Sequence, residues 1–396
     1  MTAEGSGVRG RIAIVSASVG AGHDGAAREL AERLEAEGYE VQRHDFLDLL
    51  PGWLGRALPR AYEKQLSAVP WTWDWLLGFL QLFPLAARAV TGMFAFAARR
   101  SWGVLPADVQ CVVSTYPLAS HALGRLKRKG RLDAPIVTYL TDMSVHRLWV
   151  AKDAEVHLAL HPVAAEQAER LNARNVTIVA PAVGPVFRPA RNEAERVAAR
   201  RKFGLPEIGR YALVVAGSWG AGEVEEAARE IALSGGVMPV VVCGRNEALR
   251  QRVERAKVGI AFGWIDDMPT LMRACDVVVQ NAGGLSSLEA FATDLPVLSY
   301  RCLPGHGRTN AKALDRAGLA PWIHTQGQLE VALARLTRDH QDSTAELFSA
   351  QDPSTVISDL AKHTESGRSG SAPGTRSRAA AWTARRQWVG RNRAAS

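Results

Sequence analysis

Short apolar runs recur along the chain, and each is followed by a glycine-containing loop and a segment with helical spacing. The three clearest runs are Ile12 to Ser16 (IAIVS), Tyr211 to Val215 (YALVV) and Asp276 to Val279 (DVVV). Their β-branched residues predict buried strands, and Gly38 is suited to end the first helix. Strands that alternate with helices form parallel sheets. The pattern predicts an α/β protein with two Rossmann-like, doubly wound domains that face each other across a cleft.

The turn after the third run carries the strongest ligand signal. Asn281-Ala282-Gly283-Gly284 separates the strand from a helix that begins near Ser286. Paired glycines let an anion approach the backbone, and the free N–H groups of a helix start attract negative charge. Glu289 lies about one and a half turns into the helix, within reach of a sugar diol. We therefore expect a nucleotide diphosphate here, bound by Gly283, Gly284, Ser286 and Ser287, with Glu289 on its ribose.

Composition narrows the class of protein. A length of 396 residues with 47% apolar content is enough for two or three domains. The polar first ten residues and the short apolar run after them do not form a cleavable signal peptide, so a cytoplasmic protein is expected. The four cysteines lie far apart without metal-ligand spacing, and no Asp-x-Asp pair occurs. Neither a metal site nor a cofactor is predicted.

Residues 51–103 change character and predict a helical, aromatic-rich insertion. Five of the 11 tryptophans lie there, and basic residues exceed acidic ones by four. Pro84 and Arg88 interrupt its longest apolar stretch, which argues against a membrane-spanning helix. Helices at a membrane interface suit this composition, and packing on the domain's own core is the alternative. The residues predicted to face acceptor or membrane are Trp71, Trp73, Trp75 and Phe79.

The C-terminal segment, residues 364–396, is predicted to be a disordered basic tail. It is rich in Ser, Gly and Ala, and its seven arginines against one acid supply +6 of the formal net charge of +8. That charge suits an anionic membrane surface. No nucleic-acid partner is predicted, because the rest of the chain carries only about +2 and contains no nucleic-acid-binding motif.

Seven motifs in order across residues 11 to 320 resemble a known family. They are Ser16 to Ala27, Ser114 to Ser120, Thr138 to Val150, Gly217 to Glu223, Cys243 to Arg250, Gly263 to Met272 and Asn281 to Ala311. The sequence resembles the monogalactosyldiacylglycerol synthases and processive diacylglycerol glucosyltransferases, relatives of the enzyme that glycosylates the lipid-linked peptidoglycan precursor. This resemblance implies a GT-B fold. Residues 1–187 would bind the lipid acceptor and residues 188–363 the UDP-sugar, and the last helix is expected to return to the N-terminal domain.

The resemblance also assigns roles to individual residues. It implies that His23 and Asp142 are catalytic, and either could be the base that activates the acceptor. His146 and Trp149, in the same loop as Asp142, would shape the acceptor site. The further donor-binding residues implied are Gly217 and Ser218 at the diphosphate, Gly263 and Trp264 at the uracil, and Arg245, Asn246 and Asn281 nearby.

One turn departs from the family pattern. The synthases carry a Pro-Gly-Gln-Glu turn that holds galactose, whereas this chain has the sequence from Pro304 to Asn310, PGHGRTN. His306, Arg308 and Asn310 still offer donors and acceptors for sugar hydroxyls, but the acid is absent. The identity of the sugar therefore stays open.

The sequence thus favours an inverting, metal-independent transfer of a hexose from UDP to a membrane lipid such as diacylglycerol. The protein would be attached peripherally to the cytoplasmic membrane. A polyprenyl lipid or a soluble acceptor, a UDP-sugar epimerase and a non-catalytic nucleotide-sugar binding protein are the alternatives. A dinucleotide oxidoreductase is disfavoured, because no G-x-G-x-x-G motif is paired with an acid after the next strand. The lipid, processivity and oligomeric state stay open.

Overall fold

The computed structural model describes residues 8–68, 72, 78–80, 82–97, 102–335 and 341–369. Three of the predicted membrane-facing residues, Trp71, Trp73 and Trp75, lie outside the described residues, and so does the predicted tail from residue 370 onward. The described chain forms two parallel six-stranded sheets with helices on both faces. The predicted pair of doubly wound domains is confirmed.

The N-terminal sheet has the strand order β2-β1-β3-β4-β5-β6. Its strands are β1 (Arg11–Ser16), β2 (Glu40–Asp45), β3 (Cys111–Ser114), β4 (Ile136–Tyr139), β5 (Val156–Ala159) and β6 (Val176–Ile178). Its helices are α1 (Ala21–Ala36), α2 (Gly52–Ala68), α3 (Pro84–Ala97), α4 (Pro117–Arg128) and α5 (Pro162–Arg170), with 3-10 turns at Trp102–Val104 and Arg147–Trp149. The order changes direction between β1 and β3, and ligands of such sheets bind at that crevice.

The C-terminal sheet has the strand order β12-β11-β10-β7-β8-β9. Its strands are β7 (Tyr211–Val215), β8 (Met238–Val242), β9 (Ile260–Phe262), β10 (Val277–Gln280), β11 (Val297–Tyr300) and β12 (Trp322–Ile323). The helices are α6 (Glu193–Lys202), α7 (Val224–Leu233), α8 (Glu247–Ala256), α9 (Met268–Ala274), α10 (Leu285–Ala292), α11 (His306–Arg316), α12 (Gln326–Ala334), α13 (Gln341–Ser349) and α14 (Pro353–Ser369). Here the order reverses between β7 and β10, the two strands that end in the glycine loops.

The two sheets share one continuous apolar core. Strands β7 and β10 are buried along their whole length, as their valine-rich sequences require. The core runs from Leu30 and Leu34 of α1 to Leu288 and Phe291 of α10. Each fully buried side chain of this size contributes roughly 1.5–3 kcal/mol. The packing therefore holds α1 and α10, one from each domain, side by side.

The last helix, α14, lies against the N-terminal domain. Ser354 Oγ donates to Glu37 Oε1 at 2.6 Å, and Arg33 Nη1 donates to Asp352 Oδ2 at 2.8 Å. Just before the helix, Ala180 N–H donates to the Gln351 carbonyl oxygen at 2.9 Å. The helix continues to Ser369, so the prediction that the disordered tail starts at residue 364 was wrong for residues 364–369. Hydrogen bonding that starts at Pro353 extends through them despite their polar composition.

The segment between β2 and β3 is helical where it is described. Helix α3 packs on α4 and on the 3-10 turn Arg147–Trp149. Ala87, Thr91 and Ala95 form its buried face. Its other face is also apolar: Leu85 is 76% exposed and Met93 is 58% exposed. No helix among the described residues is both long and apolar enough to cross a bilayer.

Candidate active site

The turn between β10 and α10 requires glycine for two separate reasons. Gly283 has φ +69°, in the left-handed region that favours glycine. A Cβ placed there would also lie only 2.8 Å from Asn310 Cβ. Gly284 caps α10 without a side-chain hydrogen bond. The turn therefore allows a ligand at the N-terminus of α10 to approach the backbone of Gly283 and Gly284 closely.

The N–H groups of this turn differ in availability. The sequence predicts that Gly283 binds the diphosphate. In the structure its N–H donates to the side-chain Oε1 of Gln280 and is therefore not free to do so. The first N–H groups of α10, at Leu285 and Ser286, have no acceptor within a helix. Ser287 is fully buried, and its Oγ has no hydrogen-bond partner among the described residues, so its predicted contact with the diphosphate stays a prediction. An anion at this mouth would bind to the helix start rather than to the glycine turn itself.

Glu289 lies further along α10, half-buried beside the N-terminal domain. Burial raises the pKa of its carboxyl to about 7, and the charge of Arg28, on α1, opposes this shift. No hydrogen bond from another described side chain stabilises the carboxylate. Its protons and lone pairs are therefore available to hydroxyl groups of a ligand.

The loop after β7 faces the same crevice. Gly217 has φ +66°, and the Ser218 carbonyl oxygen accepts a hydrogen bond from Arg245 N–H at 2.9 Å. Asn281 Nδ2 donates to the Ala221 carbonyl oxygen at 2.8 Å and joins this loop to the β10 turn. Asn281 Oδ1 is buried without a partner among the described residues. The two glycine loops are thus one connected surface at the switch point.

The region predicted for the uracil contains a stacked pair. The Arg245 guanidinium lies 4.8 Å from the centre of the Trp264 ring, which follows the half-buried Gly263, and the Trp264 side chain is 48% exposed. Asn246 is used differently from the prediction. Its Oδ1 accepts from Leu249 N–H at 2.9 Å to cap α8, and its Nδ2 donates to the Trp219 carbonyl oxygen at 3.2 Å. Its side chain organises the loop instead of being open to a donor.

His23 lies at the switch point of the N-terminal sheet, at the start of α1. Its Nδ1 is 2.9 Å from the carbonyl oxygen of Thr115, which follows β3, and 2.9 Å from Thr141 Oγ1. A carbonyl oxygen only accepts, so Nδ1 carries the proton and Nε2 of the neutral ring presents a lone pair. The neighbouring Asp24 accepts hydrogen bonds from the Ser16 and Ser18 hydroxyls at 2.6 and 2.8 Å. Asp24 therefore holds the loop together.

Asp142 is held from behind by a tryptophan. Trp149 Nε1–H donates to Asp142 Oδ2 at 2.8 Å, and Trp149 is fully buried. The prediction that Trp149 lies on the acceptor or membrane surface was wrong, because its ring forms part of the core beneath the loop. His146 Nδ1 is buried without a partner among the described residues, and burial lowers the pKa of His146. Its ring is thereby kept neutral.

The C-terminal domain adds His306 to this group. Burial lowers the pKa of His306, while the charge of Asp142 raises it and His23 lowers it. The same two groups act on the pKa of His146. His23, Asp142, His146 and His306 therefore lie within electrostatic range of one another. The sequence analysis predicts that His306 contacts the sugar. That His306 lies near Asp142 could not be predicted, because the two residues are far apart in the chain.

The other predicted residues of the departing turn have different environments. Arg308 is exposed on α11. Asn310 is 1% exposed, and its amide is occupied by Ser144 from the N-terminal domain and by Ala282 from its own domain. Its predicted contact with sugar hydroxyls is contradicted, because these protein groups already use the Oδ1 lone pairs and one N–H. Phe79, predicted at the membrane surface, is half-buried with its ring 4.6 Å from that of Phe83.

Across the described ranges, no group of three or more His, Cys, Asp or Glu side chains is arranged to hold a metal ion. The chemistry available at the site is that of a helix N-terminus, a raised-pKa carboxyl, an oriented imidazole and a second carboxylate.

Comparison with known sequences confirms the resemblance. The sequence model of the family described as monogalactosyldiacylglycerol (MGDG) synthase matches residues 23–180. A processive diacylglycerol beta-glucosyltransferase of Bacillus cereus is 26% identical over 238 residues, which cover 58% of this chain and 60% of the relative. The corresponding protein of Bacillus anthracis is 26% identical over 242 residues with the same coverage. The match thus spans about 60% of the length of these curated relatives.

Solved structures with the same architecture cover almost the whole chain. MurG of Acinetobacter baumannii has a TM-score of 0.55 at 16% identity, covering 89% of this chain and 99% of its own. UGT71G1 of Medicago truncatula, solved with UDP-glucose, has a TM-score of 0.55 at 13% identity, covering 90% and 98%. At these identities the likeness establishes the fold alone, which is GT-B.

Proposed function

We propose that this protein is a glycosyltransferase that transfers a hexose from a UDP-sugar to a membrane lipid such as diacylglycerol. The observation that carries the proposal is the meeting of two switch points. His23, at the start of α1, lies beside the open start of α10, since a Cβ on the neighbouring Gly22 would be 4.0 Å from Leu285 N. Asp142 lies near His23, because Trp149, which donates to Asp142, has its ring 6.0 Å from the His23 ring. Glu289 lies further along α10, within electrostatic range of Arg28 on α1. The names of the relatives, diacylglycerol glucosyltransferase and MGDG synthase, support the choice of donor and acceptor.

The donor half of the site would hold UDP through three kinds of contact. The N–H groups that open α10, at Leu285 and Ser286, would bind the diphosphate, whose charge grows as the glycosidic bond breaks. The Glu289 carboxyl would accept hydrogen bonds from the ribose hydroxyls. The exposed face of Trp264, beneath Arg245, would lie against the uracil. Backbone dipoles would thus carry the role of charge stabilisation.

His23 would act as the base, because its Nε2 presents a lone pair while Nδ1–H is fixed by Thr115. The acceptor hydroxyl oxygen attacks the anomeric carbon and its proton passes to Nε2. The bond from the anomeric carbon to the diphosphate oxygen breaks, and UDP leaves with the electron pair. The Asp142 carboxylate, oriented by Trp149, would stabilise the resulting imidazolium. A single displacement inverts the anomeric carbon.

The acceptor would arrive from a membrane surface formed by the insertion. Seven large apolar side chains within residues 53–104 are strongly exposed: Trp53, Leu82, Phe83, Leu85, Met93, Phe96 and Val104. Exposed apolar side chains this dense mark interaction surfaces. Arg56, Arg60 and Arg88 are exposed in the same segment and suit anionic headgroups. Because α3 packs on the turn Arg147–Trp149, this surface adjoins the Asp142 loop.

A transfer assay tests the proposed reaction. Purified protein is incubated with separate UDP-hexoses and with vesicles containing diacylglycerol or a polyprenyl phosphate, and new glycolipids are identified by mass spectrometry. We expect a hexosyl-diacylglycerol, with a β linkage by NMR if an α-linked donor is inverted. A product formed on the polyprenyl lipid would support the proposed transfer reaction but show that the acceptor is not diacylglycerol. UDP binding without transfer to any acceptor would contradict the enzyme and leave a nucleotide-sugar binding protein.

Two variants separate the donor half from the catalytic half. Glu289→Ala should weaken UDP binding about tenfold, measured by calorimetry, because the ribose contact is lost. Asp142→Asn should keep UDP binding and lower transfer by two or more orders of magnitude, of the order expected when a catalytic charge is lost. UDP bound equally well by Glu289→Ala and the parent would contradict the ribose contact.

Vesicle binding tests the proposed membrane surface. The paired substitution Leu82→Ser with Leu85→Ser should lower co-sedimentation with anionic vesicles several-fold, since two strongly exposed apolar side chains are lost. Ile208→Ser, at a position that is 93% exposed in the C-terminal domain, is the control and should change nothing. Equal vesicle binding by the paired variant and the control would show that this segment is not the membrane-docking surface.

A further inference from the structure

The Asn310 side chain makes three hydrogen bonds, and two of them cross the domain boundary. Its Oδ1 accepts two hydrogen bonds from Ser144, from the backbone N–H at 2.9 Å and from Oγ at 2.8 Å. Its Nδ2 donates to the Ala282 carbonyl oxygen at 2.9 Å. The side chain is 1% exposed. Because unmade hydrogen bonds of a buried amide are costly, the three bonds favour one relative placement of their partners.

The partners of Asn310 are the loops that carry the chemistry. Ser144 stands two residues after Asp142, in the loop that follows β4. Ala282 immediately precedes Gly283 in the turn that opens α10. One amide therefore connects the Asp142 loop of the N-terminal domain with the turn that opens α10 in the C-terminal domain.

Helix α11 is closely packed around this connection. A Cβ added to Gly283 would lie 2.8 Å from Asn310 Cβ, and one added to Gly307 would lie 2.6 Å from the Asn281 carbonyl oxygen. On the N-terminal side, Ser144 Oγ is also 3.0 Å from Thr309 Oγ1. Two successive turns of α11 are thus in contact with the turn that opens α10, and one of them also contacts Ser144. A shift of the Ser144 loop would therefore be transmitted through α11 to the turn that opens α10.

We propose that Asn310 is a positioning residue that aligns the Asp142 loop with the donor diphosphate. The inference rests on the proposed transferase function and deepens it. Transfer requires the base, the acceptor and the anomeric carbon to be in register across two domains, and misplacement by about 1 Å can cost about 100-fold in rate. Asn310 sets that register without touching the sugar, so its loss should lower turnover more than donor binding.

Three variants test this role, with UDP affinity, kcat and KM measured for each. Ser144→Ala removes the Oγ donor and leaves every group of the C-terminal domain in place. It should lower kcat about tenfold and leave the Kd of UDP within about twofold. Asn310→Ala should lower kcat about 100-fold and weaken UDP binding only a few-fold. Lys312→Ala, an exposed position on the same helix, should match the parent. An unchanged kcat in Ser144→Ala, or equal losses in kcat and UDP affinity, would overturn the proposal.

A measurement that needs no turnover separates this inference from the proposed reaction. The Ser144 amide proton is bound to Asn310 Oδ1, so hydrogen exchange of peptides covering residues 141–146 reports the contact directly. Exchange should be at least about tenfold faster in Asn310→Ala than in Lys312→Ala. If the parent transfers no sugar, the proposed function fails while this result still stands. Equal exchange in both variants would show that Asn310 does not hold the Ser144 loop, which would contradict the proposal.

Discussion

The two glycine-rich loops at the domain boundary look alike in sequence but need glycine for different reasons. In the C-terminal domain, Gly283 is in the left-handed region, where a side chain is strained. In the N-terminal domain, Gly20 has an extended backbone with φ 178°, which any residue adopts. Gly25 instead makes room for a neighbour, because a Cβ there would overlap Leu285 Cδ2. The C-terminal turn needs glycine for its backbone conformation as well as for space, whereas Gly25 of the N-terminal loop is needed for the approach of α10.

This difference separates the proposed donor binding from the proposed chemistry. The C-terminal turn leaves the N–H groups of α10 open to an anion. The N-terminal loop brings His23 to the same place by letting α1 pack against α10. A glycine after a parallel strand is thus no evidence of a phosphate site by itself. Substitutions in the two loops should consequently affect different steps.

The largest effect should come from the N-terminal loop. His23→Ala removes the proposed base, and we expect kcat to fall by about three orders of magnitude. The Kd of UDP, measured by calorimetry, should stay within about twofold, because no donor contact is lost. Glu32→Ala, an exposed position on the same helix, is the matched control. Loss of UDP binding in His23→Ala would mean that the imidazole supports the diphosphate rather than the acceptor.

The C-terminal turn should give the next largest effect. Gly283→Ala forces a side chain into the left-handed region and against Asn310, so the turn must move. We expect UDP affinity to fall at least about tenfold. Gly318→Ala has a similar φ of +68° with open space around it, so it carries the strain without the contact. If both variants weakened UDP binding equally, the local geometry of the turn would not matter.

A smaller effect should come from the packing of the two loops on each other. Gly25→Ala displaces the flexible end of Leu285 and should lower the free energy of unfolding by about 1 kcal/mol. In a Leu285→Ala background the same substitution should become stabilising by up to about 1 kcal/mol, because the clash is gone and alanine is the better helix former. Urea denaturation of the four proteins gives this coupling. Equal costs in both backgrounds would show that Gly25 matters for another reason.

The smallest effect concerns protons at Glu289. With a pKa near 7, its carboxyl is about half protonated in the free protein at pH 7. Ribose hydroxyls that donate to the carboxylate would lower that pKa, so UDP binding should release up to about half a proton. Calorimetry in two buffers of different ionisation enthalpy measures the release, which should vanish in Glu289→Gln. Proton uptake in the parent would contradict the contact.

The same pKa shift predicts the pH dependence of stability. The folded protein holds the Glu289 proton up to about pH 7, whereas the unfolded chain loses it near the ordinary value of 4.5. The folded state therefore binds more protons between these values, and the free energy of unfolding falls as pH rises through that range. Glu289→Gln should remove this part of the slope in denaturation experiments at pH 5 and pH 7.5.

Local sequence patterns were enough to predict the strand and helix units, because buried parallel strands require continuous apolar runs such as those of β7 and β10. The positions of the glycine turns follow from the same pattern. His23 and Asp142 were identified through the family resemblance. Their partners could not be found this way, because Trp149, Thr115 and His306 meet them only through tertiary packing.

Two of the mistaken assignments share one physical cause. Asn246 and Asn310 are polar residues beside a predicted ligand site, and each side chain is already used by the protein. A motif indicates which side chains are near a ligand, but hydrogen-bond capacity is finite. Whether an amide serves a sugar or a neighbouring loop depends on which backbone groups the fold leaves unsatisfied.

The return of α14 to the N-terminal domain has a mechanical consequence. The chain passes between the domains near Gly184 and again near Gln351, and the two passages are joined where Ala180 hydrogen-bonds to Gln351. The two passages are therefore neighbours and not independent linkers. Any movement of one lobe relative to the other would have to displace both passages together.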